Sequence, residues 1–326
     1  MVMRILITGG CGFVGSNLTK SLLNISTVKK IIIVDDFSQS NAKYIKKFHP
    51  VKTIYTKNSY VKSKNRVDII RASVNDFDFA KKITKSVDYV IHLAAESGVD
   101  KSISQPHKSF QINVNGAMNY LESARMNKIK QFIFASSGAV FGDSKPPMKE
   151  NNVKDPISPY GSSKLSIESF CETYSKVFNM KTTILRFSNA YGPFSDHKES
   201  IIAKYVKNIR DNRILKINGS AYITRDYIFI DDICCAVIKC LYTKKLCNTY
   251  HVGTGKETSI KDLIEKIKQI CYKKDIQIPK TVVVKKRLGD MTKNYTSISK
   301  IKKEINWKPK FTLTHGLSET INYFFK

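Results

Sequence analysis

A glycine-rich turn near the start of the chain is the feature that most constrains its fold. An apolar run at residues 4–8 passes directly into the sequence GGCGFVG at residues 9–15, and apolar residues at helical spacing follow over residues 14–23. A second apolar run covers residues 30–34. This succession predicts a buried strand, a tight turn, a helix and a parallel strand joined by a right-handed crossover.

The same alternation continues further along the chain. Strands are predicted at residues 88–93, 131–135 and 181–186, and helices at residues 114–126 and 162–178. Alternation of this kind over about 185 residues predicts an α/β fold with a doubly wound parallel sheet of the Rossmann type.

The regular alternation of strands and helices becomes weaker after residue 186, where proline and glycine interrupt the sequence. We therefore expect one domain at residues 1–186 and a smaller α/β substrate-binding part at residues 187–326, with some segments interleaved. The lysine-rich segment at residues 38–66 is expected to form a helix and a surface excursion.

Composition favours a reduced, cytoplasmic protein. Hydrophobic residues make up 42% of the 326 residues, which is typical of a globular core. No apolar stretch reaches the roughly 18 residues of a membrane span, and the N-terminus lacks a signal-peptide pattern. The seven cysteines form no CxxC pair and have no histidine cluster nearby. We therefore expect free thiols, without a disulfide or a metal.

The formal net charge of +28 has two interpretations. One is attraction to a polyanion such as nucleic acid, and the other is a codon bias that favours lysine. The lysines are spread along the whole chain, and arginine is little interleaved with aromatic residues, so we do not expect nucleic acid as a partner. A ligand that carries a diphosphate is also attracted by a positive field.

The glycine-rich turn has the spacing of a phosphate-binding turn. Gly9 permits a sharp turn, Gly12 lets the backbone approach a pyrophosphate, and Gly15 permits close packing of helix on strand. The N-terminus of the helix adds N–H donors. Asp35 follows Gly15 by 20 residues and would accept hydrogen bonds from ribose hydroxyls, which favours NAD over NADP, with Asp36 as the alternative.

A second constellation carries acid and base chemistry. Tyr160 and Lys164 lie four residues apart, on one face of a predicted helix. Tyrosine is a poor base at neutral pH, but a nearby ammonium together with a positive nicotinamide ring would lower the pKa of Tyr160. Ser137 lies just past a predicted strand, where doubly wound sheets bind ligands, and would hold a substrate oxygen.

Five short motifs occur along the chain in a fixed order. They are GGxGxxG at residues 9–15, HLAA at residues 92–95, SSxxVxG at residues 136–142, PYxxSK at residues 159–164 and RDYxxxDD at residues 225–232. Together they resemble the extended short-chain dehydrogenase/reductase family of nucleotide-sugar epimerases and dehydratases, over residues 5–309.

This resemblance implies a hydride relay with a permanently held NAD. The tyrosine that matches Tyr160 takes the proton of the sugar C4 hydroxyl, the serine that matches Ser137 hydrogen-bonds O4, and the lysine that matches Lys164 binds the nicotinamide ribose. The resemblance implies that the cofactor contacts are Gly9, Gly12, Phe13, Val14, Gly15, Asp35, Ala94, Ala95, Tyr160 and Lys164.

Oxidation at C4 gives a 4-keto sugar, and the subfamilies differ in what they do with this intermediate. Dehydratases normally carry Thr-Asp-Glu where this chain has Ser137, Gly138 and Ala139, and decarboxylases usually carry Glu at the position of Ala139. Neither Gly138 nor Ala139 can move a proton, so we predict a 4-epimerase. The loop that contains Glu96 resembles that of dehydratases instead, and Glu96 is either a structural carboxylate or a site residue.

The resemblance also identifies substrate contacts. Asn189 matches an asparagine that binds the diphosphate, and Arg225 and Arg287 match the arginines that grip it, a role that suits a planar guanidinium. Asp290 would accept a hydrogen bond from the nucleoside ribose.

One position bears on sugar size. In the epimerases, the residue seven after the Arg287 equivalent borders the sugar pocket, and a bulky aromatic residue there excludes N-acetyl groups. Ungapped counting places Asn294 at this position, with Tyr295 beside it. We therefore predict a pocket that admits N-acetylhexosamines as well as hexoses.

The sequence thus supports one leading function and two alternatives. The leading function is the 4-epimerisation of a UDP-hexose, a UDP-N-acetylhexosamine or a UDP-uronic acid. The alternatives are a nucleotide-sugar 4,6-dehydratase and an RNA-binding member of the wider family, against which the intact Ser137, Tyr160 and Lys164 speak. Helices like those predicted at residues 114–126 and 162–178 pair across a two-fold axis in many relatives, so we expect a homodimer.

Overall fold

Strands and helices alternate along most of the chain in the computed structural model, which describes residues 2–51, 53–61, 63–284 and 293–326. The strands are β1 (Met3–Thr8), β2 (Val28–Asp35), β3 (Ile54–Thr56), β4 (Val67–Arg71), β5 (Tyr89–His92), β6 (Gln131–Ser137), β7 (Thr182–Phe187), β8 (Asn189–Tyr191), β9 (Leu215–Asn218), β10 (Thr224–Arg225), β11 (Tyr227–Phe229), β12 (Cys247–Val252), β13 (Thr258–Ser259), β14 (Thr281–Val284) and β15 (Lys293–Asn294).

The helices pack around the sheets that these strands form. They are α1 (Phe13–Leu23), α2 (Lys43–Lys46), α3 (Phe77–Thr84), α4 (Val99–Ser104), α5 (Pro106–Phe110), α6 (Gly116–Met126), α7 (Pro159–Phe178), α8 (Ile201–Arg210), α9 (Ile230–Cys240), α10 (Ile260–Tyr272), α11 (Ser299–Ile305) and α12 (Leu313–Phe324). A π-helical turn (Gln111–Asn115) precedes α6, and a 3₁₀ turn (Gly138–Phe141) follows β6.

The central sheet has eight parallel strands in the order β12-β7-β6-β5-β1-β2-β4-β3. This is the doubly wound Rossmann-type sheet that the sequence predicts. Its central strands are buried on both faces because helices cover both sides. In β2, Ile31 and Ile33 face the core beneath α1 and α9, whereas Ile32 and Val34 face the core beneath α3, α6 and α7.

The direction in which successive strands are added reverses beside β1. The chain runs from β1 outward to β2 on one side and returns to β5 on the other. The carboxyl ends of β1 and β5 are therefore neighbours, and doubly wound sheets bind ligands in the crevice outside such a switch point.

The C-terminal part contributes to the central sheet as well as to smaller ones. β12 pairs with β7 along residues 247–252 and forms one edge of the large sheet. The smaller sheets have the orders β13-β10-β15, β11-β8 and β14-β9. The division at residue 186 stays a prediction, and β12 is a C-terminal segment interleaved with the N-terminal sheet.

Two observed boundaries extend the predicted elements toward the ligand-binding edge. Helix α7 begins at Pro159, three residues before the predicted start, because the Ser158 hydroxyl caps the Gly161 N–H at 3.1 Å and proline is favoured in the first turn. Strand β6 runs on to Ser137, two residues past its predicted end. Tyr160 consequently lies in the first turn of α7, and Ser137 is the last residue of β6.

The lysine-rich segment at residues 38–66 differs from its prediction. Its helix is a single turn, α2, and its other regular element is a strand, β3, which extends the edge of the central sheet beside β4. A three-residue strand is too short for periodicity to show it in the sequence. Among the described residues, no helix combines the length and the apolar composition that a membrane span requires.

Candidate active site

A deep cleft lies along the carboxyl ends of the central strands. Its volume is about 600 Å³, which is within the range of small-molecule and cofactor sites. Residues from the glycine-rich turn, the ends of β2, β5 and β6, the start of α7 and the C-terminal part line it. The fold thus gathers into one site segments that are far apart in the sequence.

The glycine-rich turn is packed so closely that side chains would not fit. A Cβ atom on Gly9, whose φ is +67°, would lie 2.8 Å from the backbone of Ala94, and one on Gly15 would lie 2.5 Å from the Gly9 carbonyl. The first turn of α1 has no acidic residue, and Gly12 provides no side-chain cap. This cradle of backbone N–H groups at a helix N-terminus fits a pyrophosphate such as that of NAD.

Asp35 ends β2 beside this cradle and is buried. Its two carboxylate oxygens accept hydrogen bonds from the backbone N–H groups of Cys11 and Phe37, each at 2.9 Å. Burial raises the pKa of Asp35 to about 6, and these two hydrogen bonds oppose the shift. Asp36 is exposed, lines the cleft and accepts from the Ser38 N–H. Both carboxylates therefore border the cleft, and Asp35 also holds the turn in place.

The end of β5 forms the opposite wall of the cleft. Ala94 and Ala95 line it, and the Ala94 N–H donates to the Thr8 hydroxyl at 3.3 Å. The Glu96 N–H donates to the Asn113 side-chain oxygen at 2.8 Å, and the Asn113 amide donates in turn to the Ser163 hydroxyl at 3.0 Å. Asn113 lies in the π-helical turn, so this turn ties the wall to helix α7.

The Glu96 carboxylate faces lysines. It lies 3.4 Å from the Lys101 ammonium and 3.5 Å from the Lys108 ammonium, and the Gln39 amide donates to it at 3.4 Å. Glu96 thus joins its loop to α4 and α5, as a structural carboxylate would.

Ser137, Tyr160 and Lys164 meet at the inner end of the cleft. All three line it, and Ser137 is close enough to Tyr160 to affect the pKa of its phenol. The Lys164 ammonium donates to the Ala135 carbonyl at 2.9 Å and lies 5.9 Å from the centre of the Tyr160 ring. The three predicted catalytic side chains are therefore in one place, held by β6 and α7.

Burial dominates the ionisation of this group. It raises the pKa of Tyr160, and the side chain of Ser137 only partly opposes it. Among the protein groups, desolvation of the phenolate outweighs the other effects. The lowered pKa that the sequence predicts for Tyr160 depends on a positive nicotinamide ring as well as on Lys164, and it stays a prediction. Burial also lowers the pKa of Lys164 to about 8, against the charge of Glu168.

The predicted substrate contacts fall into two groups. Asn189 and Arg225 line the outer cleft, where the Arg225 guanidinium donates to the Thr224 carbonyl at 2.8 Å. Asn294 is buried on β15, where it pairs with Arg225 of β10. A Cβ atom on Gly138 would lie 3.5 Å from the Asn294 side-chain oxygen, so Asn294 borders the catalytic end.

Two predicted contacts, Arg287 and Asp290, lie outside the described residues.

The carboxylate of Asp226, the residue after Arg225, holds a neighbouring loop in place. Its buried carboxylate accepts from the Thr254 N–H at 2.9 Å, from the Thr254 hydroxyl at 2.6 Å and from the Gly255 N–H at 3.1 Å. It thereby fixes the loop after β12 beneath the outer cleft.

The cleft lining carries more positive than negative charge. Its basic residues are Lys101, Lys164, Lys198, Lys204, Lys216 and Arg225. Its acidic residues are Asp35, Asp36, Glu96 and Glu199. The lining therefore favours an anionic ligand.

Lys198 is a cleft residue that sequence reasoning missed. Its ammonium donates to the Ser97 hydroxyl at 2.8 Å across the cleft, and burial lowers its pKa. The sequence gives no signal for it, because one lysine among so many is not distinctive. Glu168 and Arg186, which form a buried ion pair behind Lys164, were also missed, although a charged residue in the strand TTILRF is a readable signal.

These features have counterparts in known proteins. The sequence model of the GDP-mannose 4,6 dehydratase family matches residues 6–320. The chain belongs to this family, which is of the extended short-chain dehydrogenase/reductase type and includes nucleotide-sugar epimerases and dehydratases.

Some relatives of this chain are named epimerases and others dehydratases. A Methanocaldococcus jannaschii protein, provisionally named a UDP-glucose 4-epimerase, is 32% identical over 98% of this chain and 97% of its own length. Human dTDP-D-glucose 4,6-dehydratase is 29% identical over 98% of this chain and 89% of its own. The solved UDP-glucuronic acid 4-epimerase of Bacillus cereus, in complex with UDP-glucuronic acid and NAD, is 26% identical with a TM-score of 0.87 and covers 99% of both chains.

The buried Asp35 generates a prediction about pH. Its pKa in the folded chain is about 6, above the ordinary value of 3.8, so the folded state binds this proton more tightly than the unfolded state does. The contribution of Asp35 to stability is then fully present below pH 4 and is lost as the pH rises through 6. We expect the stability of the wild type relative to Asp35→Asn to fall by about 2 kcal/mol between pH 4 and pH 7. Urea unfolding of both proteins across this range measures it, and a relative stability that rises with pH would contradict it.

Proposed function

We propose that this protein is an NAD-dependent 4-epimerase of a nucleotide sugar: a UDP-hexose, a UDP-N-acetylhexosamine or a UDP-uronic acid. The observation that carries the proposal is the composition of the inner cleft. Ser137, Tyr160 and Lys164 meet there, whereas Gly138 and Ala139, directly after Ser137, offer no group that could move a second proton.

The residues that would hold NAD are those around the glycine cradle. The N–H groups in the first turn of α1, directly after Gly12, would bind the pyrophosphate, and the Asp35 carboxylate would accept from the adenosine ribose, with Ala94 and Ala95 forming the facing wall. When bound, NAD supplies a nicotinamide ring that takes up and returns a hydride. Family membership and the NAD in the solved Bacillus cereus relative support this assignment.

Tyr160 would act as the base toward the sugar C4 hydroxyl. Its phenolate accepts the hydroxyl proton as C4 is oxidised to a ketone, and it returns the proton when the hydride comes back to the other face of the ring. Ser137 would donate a hydrogen bond to O4 and hold it beside Tyr160. The proton and the hydride that leave the sugar both return to it, so substrate and product are isomers.

Lys164 would bind the nicotinamide ribose and stabilise the phenolate by its charge. Its position one turn after Tyr160 on α7 serves both tasks. At the outer end, Asn189 and Arg225 would bind the diphosphate. By the family resemblance, Arg287 would bind it as well, and Asp290 would bind the nucleoside ribose. The excess of basic residues in the cleft lining supports a doubly charged diphosphate ligand.

A nucleotide-sugar 4,6-dehydratase is the second candidate. The human relative and the Glu96 loop favour it. Elimination of water across C5–C6 requires an acid and a base near the sugar, however, and Glu96 is engaged with Lys101 and Lys108. The epimerase therefore remains the better supported function.

A mass-balance assay with a catalytic variant tests the proposal. We expect incubation with a panel of UDP- and dTDP-sugars to give a product of unchanged mass, whereas a dehydratase product would be lighter by one water. Tyr160→Phe removes the base and should lower kcat by about 10³-fold. The control Tyr174→Phe removes a phenol hydroxyl from the same helix. This hydroxyl donates a hydrogen bond to Glu122, and its loss should leave the activity unchanged. Loss of water contradicts the proposal, and RNA binding at physiological salt without sugar turnover would favour the RNA-binding alternative.

The environment of Asn294 generates a prediction about sugar size. Asn294 borders Gly138 at the catalytic end, so we expect wild-type kcat/KM values for UDP-N-acetylglucosamine and UDP-glucose within about tenfold of each other. Asn294→Tyr should lower kcat/KM for the N-acetyl sugar by at least about tenfold more than for the hexose, because a methylene-sized clash has that magnitude. The control Asn294→Ala creates no bulk and should keep both substrates. Strict rejection of UDP-N-acetylglucosamine by the wild type would contradict the prediction.

We also propose that the protein is a homodimer. Phe170, Val177 and Phe178 are exposed apolar residues at helical spacing on α7, and Met126 is exposed at the end of α6. Exposed apolar residues on two helices that pack against each other are typical of an interaction surface. We expect sedimentation velocity to give twice the chain mass of 37.1 kDa. Phe170→Glu with Val177→Glu should yield monomers, whereas Tyr272→Glu, at an exposed site on α10, should not. A wild-type monomer at micromolar concentration would contradict the proposal.

A further inference from the structure

A buried carboxylate connects the two elements that carry the inner-cleft side chains. Glu168 lies on α7, one turn after Lys164 and two turns after Tyr160. Its Oε1 accepts from the Ser136 hydroxyl at 2.5 Å and from the Arg186 Nε at 2.9 Å, and its Oε2 accepts from the Arg186 Nη2 at 2.6 Å. The side chains of Glu168 and Arg186 are each 1% exposed, so water does not compete for these bonds.

The sheet register sets Ser136 and Arg186 side by side. Ser136 of β6 pairs directly with Arg186 of β7, and side chains at paired positions of adjacent strands extend from the same face of the sheet. Both reach α7 through one carboxylate. The adjoining residue of β6 is Ser137, so this link lies one residue from the serine of the site.

Arg186 is itself held from the side opposite Glu168. Its Nη1 donates to the Glu150 carbonyl at 3.1 Å, and its guanidinium lies 4.8 Å from the centre of the Phe141 ring. His251 lies 3.4 Å from the same Nη1. A buried arginine with these partners has little freedom to move, and it therefore fixes the Glu168 carboxylate in one position.

The same carboxylate acts on Lys164 through its charge. Burial lowers the pKa of Lys164, and Glu168 opposes that shift. The other titratable groups that face Lys164 are Tyr160 on α7 and His92 on β5, and His92 is neutral at physiological pH because burial and the charge of Lys164 lower its pKa to about 3. Glu168, one turn away on the same helix, therefore opposes through its negative charge the loss of the Lys164 proton that burial favours.

We propose that Glu168 is a positioning residue: the Ser136–Glu168–Arg186 link sets the spacing between Ser137 on β6 and the Tyr160–Lys164 pair on α7, and it places a negative charge one turn from Lys164. The inference rests on the proposed function for its consequence in catalysis. It assigns different tasks to the two consecutive serines, with Ser136 holding the helix and Ser137 facing the substrate.

The spacing is tested by substitution of Ser136. Ser136→Ala removes the hydrogen-bond donor without changing any charge, and we expect kcat to fall about tenfold with a smaller change in KM. Ser136→Thr keeps a hydroxyl and should restore most of the activity. Equal losses in both variants would overturn the positioning role of Ser136.

The charge is tested by a paired substitution. Glu168→Gln together with Arg186→Met removes both charges, so that no buried charge is left alone. We expect the pKa of Lys164 to fall in this variant. Reductive methylation of Lys164, followed by peptide mass spectrometry across pH, should then show its midpoint at a lower pH than in the wild type. This readout needs neither substrate nor turnover, so it stays valid if the proposed sugar chemistry fails.

The chain contains a matched control. Ser63, Asp68 and Lys30 form the same arrangement, with the Ser63 hydroxyl 2.5 Å from Asp68 and the Lys30 ammonium 2.6 Å from it. None of the three lines the cleft. Ser63→Ala, and Asp68→Asn together with Lys30→Met, should lower the melting temperature without moving the Lys164 midpoint. An unchanged Lys164 midpoint in the Glu168→Gln, Arg186→Met variant, with a similar loss of stability, would reduce the link to a structural role and overturn the proposal.

Discussion

The parallel direction of all eight central strands is the constraint on which the site depends. Because every strand runs the same way, their carboxyl ends share one edge, and each chemical group only has to follow its own strand to reach the cleft. The glycine-rich turn follows β1, Asp35 ends β2, Ala94 follows β5 and Ser137 ends β6. The reversal of strand order beside β1 leaves a crevice between the segments after β1 and β5, where the Gly9 backbone lies against Ala94.

Helix α7 adds the components that the strands cannot provide. Its N-terminal turn carries Tyr160, and its interior carries Lys164, a cation that is buried against the sheet and donates to the Ala135 carbonyl. A buried ammonium is unfavourable unless an anion or dipoles compensate it. Glu168 compensates it on the same helix, and because that carboxylate also bonds Ser136 and Arg186, electrostatic compensation and mechanical alignment are served by one group.

The fold and the inner cleft could be predicted because their signals are local. The glycine spacing, the strand runs and the Tyr160–Lys164 interval each lie within a few residues. Helix α7 begins three residues before its predicted start, although Ser158 and Pro159 form an N-terminal signal that the sequence shows. Strand β3 and the salt bridge between Glu168 and Arg186 could not be predicted. Both depend on pairing between segments that are distant in the sequence, and such pairing leaves no periodicity.

The Glu96 loop shows how geometry changes the weight of a sequence feature. In the sequence this loop resembles that of dehydratases, and Glu96 is either a structural carboxylate or a site residue. In the fold its carboxylate is buried and lies between the lysines of α4 and α5, and its backbone is tied through Asn113 to α7. Glu96 therefore has a structural task, because its contacts join its loop to α4 and α5. The resemblance of this loop to dehydratases therefore weighs less against the proposed epimerase, and that proposal rests on Gly138 and Ala139, which offer no acid or base group.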